Sequence, residues 1–293
     1  MQIQTIGQSA DEAFEVCRTF KEGKPDLIPT GFPQLDAKIG GLFRGTTMVV
    51  GGDTGVGKST IMLYAGQNVA TSKIGAGIIS LEDTPDVLGS RALSYYSGVD
   101  SLKIRTKNLT DNDRRLLLSA QEKIRKIPLH ISYAIGADSL GVCAAMEELQ
   151  KKHVRIVYVD YLQKMRNVKI DRRSDVAANL AAIQTRAAEL DMAVIFISQV
   201  SRAVDPTRQL SIHRLKDSGD IENEARVILL LDRDPESVVI NARLAKCTFG
   251  AEGLTFGFTR DRSGMLQAIG MPHEIAGFND ARFAKAVEDA HDF

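Results

Sequence analysis

A glycine-rich turn between an apolar segment and a helix-forming segment constrains this chain more than any other part of its sequence. Residues 52–59 read GDTGVGKS and match the pattern G-x-x-x-x-G-K-[S/T]. The apolar segment at 46–52 leads into the turn, which is the context that a phosphate-binding loop requires. Its glycines let the backbone curl so that N–H groups face a phosphate, and the helix N-terminus adds partial positive charge. The chain is therefore predicted to bind a nucleotide on an α/β fold.

The residues of this loop have distinct predicted roles. Lys58 reaches the β- and γ-phosphates as a catalytic cation, and Ser59 ligates magnesium. The predicted cofactors are thus ATP, or another nucleoside triphosphate, and Mg²⁺. Nucleotide contacts are expected from Gly52, Asp53, Thr54, Gly55, Val56, Gly57, Lys58, Ser59 and Thr60.

Acidic residues at two strand ends complete the predicted chemistry. The apolar segment 155–160 ends in Asp160, which is expected to hold the metal-bound water; capping of the next turn is the alternative. Glu82 follows the apolar segment 75–80 and is predicted to be the general base that polarises water. Its neighbour Asp83 is the competing carboxylate. Because the carboxyl ends of parallel strands gather at one edge of a sheet, both acids are expected beside the nucleotide.

The alternation of apolar strands with helical segments predicts the fold class. It is an α/β fold with a mainly parallel twisted sheet, helices on both faces, and antiparallel strands near the C-terminal end. Strands are expected at 46–52, 75–80, 128–132, 155–160, 193–198, 226–232, 239–247 and 253–260, the last of the sheet. Helices are expected at 9–22, 58–72, 84–97, 110–126, 138–152 and 174–190.

Composition excludes several other classes. The 37 basic and 37 acidic residues cancel, so any nucleic-acid surface must be local. The three cysteines lie far apart without CxxC spacing, which argues against a disulfide framework or a zinc site. No apolar run is long enough to span a membrane, and the N-terminus does not read as a secretory signal. A cytoplasmic protein is expected, in the host cytoplasm if the source is viral.

Short motifs stand before and after the loop, at 30–36 (TGFPQLD), 80–82 (SLE), 159–163 (VDYLQ), 198–202 (SQVSR) and 216–222 (KDSGDIE). In this order they resemble the motor domain of DnaB-type replicative helicases, which are RecA-like P-loop ATPases. The bacteriophage primase–helicases share this motor, and the segments 246–250 and 288–293 look closer to them.

The resemblance implies a homo-oligomer, in this family a hexameric ring with nucleotide between subunits. It implies NTP-driven movement along single-stranded DNA, 5′ to 3′ in the family. Gln199 would sense the γ-phosphate, with hydrogen bonding to its neighbours as the alternative. Lys246 is assigned to catalysis, and Arg233 is placed near the nucleotide base, where a plain surface charge is the alternative.

Contact with DNA is expected from basic residues on the segments 167–173 and 202–216. Such side chains at the centre of a ring would neutralise phosphates without reading bases. Either segment taken alone also fits a plain solvated surface. The predicted contacts are Lys169, Arg172, Arg173, Arg202, Arg208, Arg214 and Lys216.

The sequence departs from the family pattern after Lys246. The family has a Lys-x-Arg there, and its arginine acts in trans on the neighbouring subunit's γ-phosphate, but this chain has Thr248. Threonine offers no cationic fork to a developing phosphoryl charge. Slow hydrolysis or a substitute arginine is therefore expected, with Arg243, Arg260 and Arg262 as unranked candidates.

Three parts are predicted along the chain. Residues 1–25 form a linker segment whose helix packs on its own domain or docks on a neighbouring subunit. Residues 26–265 form the motor domain, and residues 266–293 form a C-terminal tail. The family usually carries a collar or primase domain ahead of the motor, so a primase, polymerase or helicase loader is expected as a separate chain.

A replicative DNA helicase motor is the leading functional hypothesis. One alternative is a RecA-like recombination or repair ATPase that remodels DNA without processive unwinding, with which the segment 246–250 is compatible. The other, motivated by Thr248, is a weakly hydrolysing ring that regulates or loads another helicase.

Overall fold

The computed structural model describes residues 5–19, 27–165, 172–200, 218–233, 237–250, 253–261 and 266–270. The helices in these ranges are α1 (Ile6–Thr19), α2 (Pro33–Ile39), α3 (Lys58–Thr71), α4 (Pro85–Ser97), α5 (Ser101–Thr106), α6 (Asp111–Ile124), α7 (Ser139–Gln150), α8 (Arg172–Glu189) and α9 (Ser218–Glu224). The strands are β1 (Thr47–Gly52), β2 (Gly75–Ser80), β3 (Leu129–Tyr133), β4 (Val154–Asp160), β5 (Ala193–Gln199), β6 (Val227–Asp232), β7 (Val239–Cys247), β8 (Thr255–Arg260) and β9 (Leu266–Gly270). A 3₁₀ turn, Leu162–Lys164, follows β4.

These strands form one sheet in the order β3-β2-β4-β5-β1-β6-β7-β8-β9. The strands from β3 to β6 run parallel, and the pairs from β6 to β9 are antiparallel. The predicted fold class is confirmed. The prediction that 253–260 holds the last strand was wrong, because β9 pairs with β8 in the register Phe256↔Gly270. Residues 266–270, predicted to begin the tail, therefore belong to the sheet.

Continuous apolar runs form the inner strands because helices cover both faces of the sheet. Every residue of β1 is buried. Met48 and Val50 join one core with Ile61 of α3. Val49, between them, joins the core on the other face with Met146 of α7. Successive side chains along a strand point to opposite faces of the sheet, so a strand that is buried on both faces contributes side chains to both cores.

Local signals explain most helix ends. Thr110 and Asp113 form a reciprocal capping box at the start of α6. Gly98 ends α4 in the left-handed conformation. The short helices α2, α5 and α9 were not predicted, because one or two turns are too few to show a helical period. Within the ranges given above, no helix is both long and apolar enough to cross a membrane.

The segment before β1 is fixed against the body by buried polar contacts. The carboxylate of Asp36 accepts hydrogen bonds from Thr30 N at 2.8 Å and Thr30 Oγ1 at 2.7 Å. The fully buried Tyr158 of β4 donates its hydroxyl to Thr30 O at 2.9 Å. Gly31 has φ +80°, and a Cβ there would lie 2.1 Å from Ala65 O. This segment, which resembles a family motif, therefore packs directly on α3, the helix that follows the phosphate loop.

Replacing Gly31 with alanine is expected to destabilise the fold far more than replacing Gly98. Both glycines have positive φ, at +80° and +71°, but a Cβ at Gly98 meets no atom within 4 Å. The left-handed backbone conformation alone costs an L residue about 1–2 kcal/mol. Gly31→Ala must also displace the backbone of α3, so its loss of unfolding free energy is expected to exceed about 4 kcal/mol. Chemical denaturation of both variants measures this, and equal losses would contradict the packing argument.

Candidate functional site at the carboxyl edge of the sheet

Parallel register brings the predicted site residues to one edge of the sheet. Gly52 at the end of β1 pairs with Gln199 at the end of β5. Ser80 at the end of β2 pairs with Asp160 at the end of β4. The phosphate loop, Glu82, Asp160 and Gln199 therefore lie at the same carboxyl edge, as the sequence predicted. In open α/β sheets this edge is where ligands bind.

The glycines of the loop are required by its geometry. Gly55 and Gly57 have φ values of +85° and +102°, which L residues rarely adopt. A Cβ at Gly52 would lie 2.9 Å from Leu231 O on the neighbouring β6. Helix α3 begins at Lys58 directly after the turn. The backbone N–H groups at its start have no partner within the helix, which suits this end to bind an anion.

Lys58 is a buried ammonium at the base of the loop. Its Nζ donates hydrogen bonds to Gly52 O at 2.8 Å and Asp53 O at 2.7 Å. Burial lowers the pKa of Lys58, while the nearby carboxylates of Asp160, Asp53 and Glu82 act to raise it. Burial disfavours the isolated positive charge of the Lys58 ammonium. A phosphate beside it would supply the compensating negative charge, so the ammonium is suited to contact phosphate oxygens.

Asp160 and Ser59 form an oxygen pair that fits magnesium. Asp160 is 4% exposed, and burial raises its pKa, while a hydrogen bond from Ser59 acts to lower it. Among the described residues there is no group of three or more His, Cys, Asp or Glu that would cage a metal. Mg²⁺ commonly uses one or two protein oxygens together with substrate phosphates and water. A hydroxyl and a carboxylate beside a phosphate loop suit that mode.

The structure distinguishes Glu82 from Asp83. Asp83 Oδ2 forms an ion pair with Arg91 Nη1 at 2.5 Å, and its carbonyl accepts a hydrogen bond from Ser80 Oγ at 2.7 Å. The side chain of Glu82 is 52% exposed, and its Oε1 lies 3.7 Å from Lys164 Nζ. The geometry thus favours Glu82 as the carboxylate available to water, with Asp83 held by an arginine.

Gln199 is tied to the 3₁₀ turn by a residue whose role the sequence did not predict. Gln163 Oε1 accepts a hydrogen bond from Gln199 N at 3.1 Å, and Gln163 Nε2 donates to Ser198 Oγ at 2.8 Å. The end of β5 and the turn after β4 are therefore joined by one side-chain amide. Only the tertiary pairing of β4 with β5 brings Gln163 to this position.

A cavity of about 420 Å³ adjoins the helix that follows the loop. Its lining includes Thr60 together with Arg91, Arg105 and Arg260. The pKa of Arg260 is lowered by burial and by the charges of Arg233 and Arg91. Arg233, which directly follows β6, thus lies near the same edge; its place beside a nucleotide base stays a prediction. The clustering of arginines was not apparent from the sequence, because they come from α4, α5 and β8.

Lys246 lies at the opposite edge of the sheet. Ile228 near the start of β6 pairs with Lys246, and Lys246 Nζ donates a hydrogen bond to the carbonyl of Glu222 in α9. Thr248 N donates to Arg226 O at 3.0 Å, so the exposed Arg226 stands directly across from Thr248. Lys246 is therefore remote from the phosphate loop of its own chain, and Arg226 is a basic residue that the sequence analysis missed.

The three arginines considered as substitutes for Thr248 do not share one place. Arg243 lies in mid-strand, opposite Leu230 and Thr255. Arg260 lines the cavity beside the phosphate loop of its own chain. Arg262 lies outside the described residues. Neither Arg243 nor Arg260 stands at the edge that carries Thr248.

The predicted DNA-contacting residues fall mostly outside the described residues; these are Lys169, Arg202, Arg208, Arg214 and Lys216. Arg172 and Arg173, predicted on a loop with the helix starting at 174, lie instead in the first turn of α8. Their placement on the loop was wrong. Arginine is a good helix former, so the helix extends back past Ser174.

The chain has relatives among known proteins. A family model described as the DnaB-like helicase C terminal domain matches residues 28–274. The replicative DNA helicase DnaC of Bacillus subtilis is 30% identical over 79% of this chain and 53% of its own length. The replicative DNA helicase DnaB of Geobacillus stearothermophilus is 28% identical over 73% of this chain and 49% of its own length. The chain thus spans about half the length of these relatives.

Solved structures share the fold. The ATPase domain of G40P superposes with a TM-score of 0.81 at 22% identity, covering 92% of this chain and all of that domain. A DnaB-like replicative helicase, solved in a study of its interactions with primase, gives a TM-score of 0.77 at 21% identity over 92% of this chain and 68% of its own. The RecA-like fold expected from the sequence is confirmed. Because the family model matches from residue 28 through the last described strand, β9, the chain belongs to the DnaB-like helicase C-terminal domain family.

Proposed function

We propose that this chain is the ATP-hydrolysing motor of a replicative DNA helicase, which moves along single-stranded DNA. The observation that carries the proposal is the gathering of Lys58, Ser59, Asp160 and Glu82 at one sheet edge. Each group has a place in NTP hydrolysis, and family membership supplies the nucleic-acid context. The two relatives are named as replicative DNA helicases. Helicase activity of this chain is part of the proposal.

Hydrolysis follows from the chemistry of the placed groups. The loop N–H groups and Lys58 would hold the β- and γ-phosphates. Ser59 with Asp160 would hold Mg²⁺, and that ion would supply positive charge beside the phosphates. Glu82 orients a water molecule and accepts its proton as the water attacks the γ-phosphorus. The bond from that phosphorus to the β–γ bridging oxygen breaks, and the products are the nucleoside diphosphate and inorganic phosphate.

A link from hydrolysis to DNA runs through the ends of β4 and β5. The amide of Gln163 joins the turn after β4 to Gln199. In sequence, the proposed DNA-contacting residues begin nine positions after the end of β4, at Lys169, and three positions after the end of β5, at Arg202. A change in the γ-phosphate sensed at Gln199 would therefore act on both segments together. The basic residues on them supply the electrostatic, sequence-independent part of DNA binding.

Assembly into a hexameric ring is the second part of the proposal. Lys246 and Thr248 lie on the edge of the sheet opposite the phosphate loop, which suits a site completed by a neighbouring subunit. Helix α1 leaves Ile6 86% and Phe14 67% exposed, as expected of a helix that docks on another copy. The exposed Asp11 on the same helix complements the arginines that line the cavity at α4 and α5. A primase, polymerase or loader completes the proposed set of partners.

Thr248 keeps one alternative open, a weakly hydrolysing ring that regulates or loads another helicase. In that case the nucleotide would drive assembly with negligible turnover. For an active motor, the strand pairing makes Arg226 the residue that supplies a guanidinium beside Thr248. Trans-acting arginines typically contribute about 10³–10⁵ in rate, so turnover itself separates the two functions.

The first test is ATP hydrolysis with and without single-stranded DNA, with oligomer mass recorded in the same buffers. The motor proposal expects DNA-stimulated turnover by a hexamer. Lys58→Ala is expected to abolish nucleotide-dependent DNA binding, because the buried ammonium beside the phosphates is lost. Unchanged binding in that variant would exclude the proposed role of the loop. Assembly of the unaltered protein without turnover would favour the regulatory ring.

Glu82→Gln is expected to retain nucleotide and DNA binding while hydrolysis falls by roughly 10²–10⁴-fold, the usual contribution of a general base. The amide keeps the shape of the side chain but accepts no proton. Single-turnover hydrolysis and nucleotide binding should be measured on the same preparation. Asp83→Asn is the comparison, since Asp83 is held by Arg91. Turnover at the wild-type rate in Glu82→Gln would exclude Glu82 as the general base.

Phe14→Ala is expected to shift the oligomer toward smaller species, because it removes exposed apolar surface from α1. Leu140→Ala on α7 is the matched control, since Leu140 is 76% exposed on a different helix. Sedimentation over a range of protein concentrations measures the shift. An unchanged mass distribution for Phe14→Ala, or an equal shift in the control, would count against docking through α1.

A further inference from the structure

A lysine stands against the proposed general base. Lys164 Nζ lies 3.7 Å from Glu82 Oε1 and 5.8 Å from the centre of the Tyr161 ring. The separation from Glu82 is that of an ion pair rather than a close hydrogen bond. Both side chains are about half exposed, at 45% for Lys164 and 52% for Glu82. The pair is therefore loose enough to be exchanged for another partner.

The backbone on both sides of Lys164 is anchored, so its side chain is the adjustable part. Leu162 and Met165 are buried, at 2% and 4% exposed. Gln163 is bound to Ser198 Oγ and Gln199 N at the end of β5. The turn is thus fixed to the sheet, while the ammonium of Lys164 extends over the carboxyl edge. It can exchange Glu82 for another anion without any change in the turn.

An ammonium at this distance opposes the action of a general base. It attracts the carboxylate oxygen that must face the nucleophilic water, and Lys164 Nζ lies 3.7 Å from Glu82 Oε1. Part of the capacity of Glu82 to orient that water is therefore engaged by Lys164.

Single-stranded nucleic acid supplies the anion that competes for Lys164. The sequence has four further cations within nine positions after Lys164, namely Arg166, Lys169, Arg172 and Arg173. The proposed function assigns Lys169, Arg172 and Arg173 to the phosphate backbone of DNA. Phosphate groups attract exposed lysines strongly, and the attraction depends on salt.

We infer that Lys164 is a positioning residue that restrains Glu82 in the absence of DNA and releases it when a nucleic-acid phosphate takes over the ammonium. The inference rests on the proposed function, since it takes Glu82 to be the base and single-stranded DNA to be the ligand. It assigns the stimulation of hydrolysis by DNA to one exchangeable ion pair at the end of β4.

The test compares steady-state ATP turnover of the full chain and of Lys164→Met, with and without a single-stranded oligothymidylate. Lys164→Met is expected to raise DNA-free turnover about two- to fivefold, the size that an exposed ion pair supports, and to reduce the stimulation by DNA correspondingly. Lys164→Arg is expected to restore the restraint. The double variant Glu82→Gln/Lys164→Met should lose the gain, because the gain acts through Glu82.

Salt provides a readout that a purely structural role of Lys164 would not affect. Raising ionic strength from about 0.05 to 0.5 M screens exposed charges. The ratio of DNA-free turnover between Lys164→Met and the unaltered protein should therefore fall toward one. Lys151→Met is the control, since Lys151 forms an exposed ion pair with Glu148 at 2.6 Å on α7. It should leave turnover and its stimulation by DNA unchanged.

The outcomes separate this inference from the proposed function. DNA-stimulated turnover that is identical in the unaltered protein and in Lys164→Met overturns the inference alone. A fall in DNA-free turnover in Lys164→Met also overturns it, because Lys164 would then assist Glu82. DNA-free turnover that appears in Lys164→Met, when the unaltered protein shows none, supports the restraint of Glu82 by Lys164. Absence of turnover in both proteins rejects the inference together with the proposed hydrolysis.

Discussion

The parallel alignment of β1 between β5 and β6 is the constraint on which the site depends. The register Gly52↔Gln199 and Gly52↔Leu231 sets three strand ends at the same height. This alignment is held by burial, since β1 is enclosed on both faces and its alternate residues enter both cores. Parallel strands need a crossover for each connection, and the helices that make these crossovers supply the two apolar layers. The packing that stabilises the sheet is thus also what aligns the functional residues.

The electrostatics of the site follow from this enclosure. Burial lowers the pKa of Lys58 and raises that of Asp160, so the fold disfavours the charge on each group. Local partners offset the effect: carboxylates around Lys58, and the Ser59 hydroxyl and Arg91 for Asp160. On the proposed function, a triphosphate and Mg²⁺ bring a negative and a positive charge to the same two groups. A buried site that is incompletely compensated by the protein gains more from such a ligand than an exposed one.

The two edges of the sheet divide the proposed reaction between subunits. The carboxyl edge holds the phosphate loop, Asp160 and Glu82, while the far ends of β6 and β7 hold Lys246, Thr248 and Arg226. A strand of ordinary length separates these groups, so one chain cannot bring both sets to one phosphate. The proposed ring would remove the difficulty, because each subunit would present one edge to the opposite edge of its neighbour. The antiparallel strands β7 to β9 extend the sheet beyond β6.

The sequence by itself determined the phosphate loop, the fold class and the acids at the strand ends. Each depends on local pattern: the glycine spacing at 52–57 permits one kind of turn, and an apolar run that ends in Asp160 or precedes Glu82 identifies the end of a buried strand. It missed β9, whose five residues carry too weak a pattern to be separated from a tail, and it began α8 after Arg172 and Arg173. Tertiary structure decided which distant residues meet: Arg91 with Asp83, Gln163 with Gln199, Lys164 with Glu82, and Arg226 with Thr248. These contacts depend on strand order and on side-chain direction, and neither is encoded within the few neighbouring residues from which a sequence pattern is read.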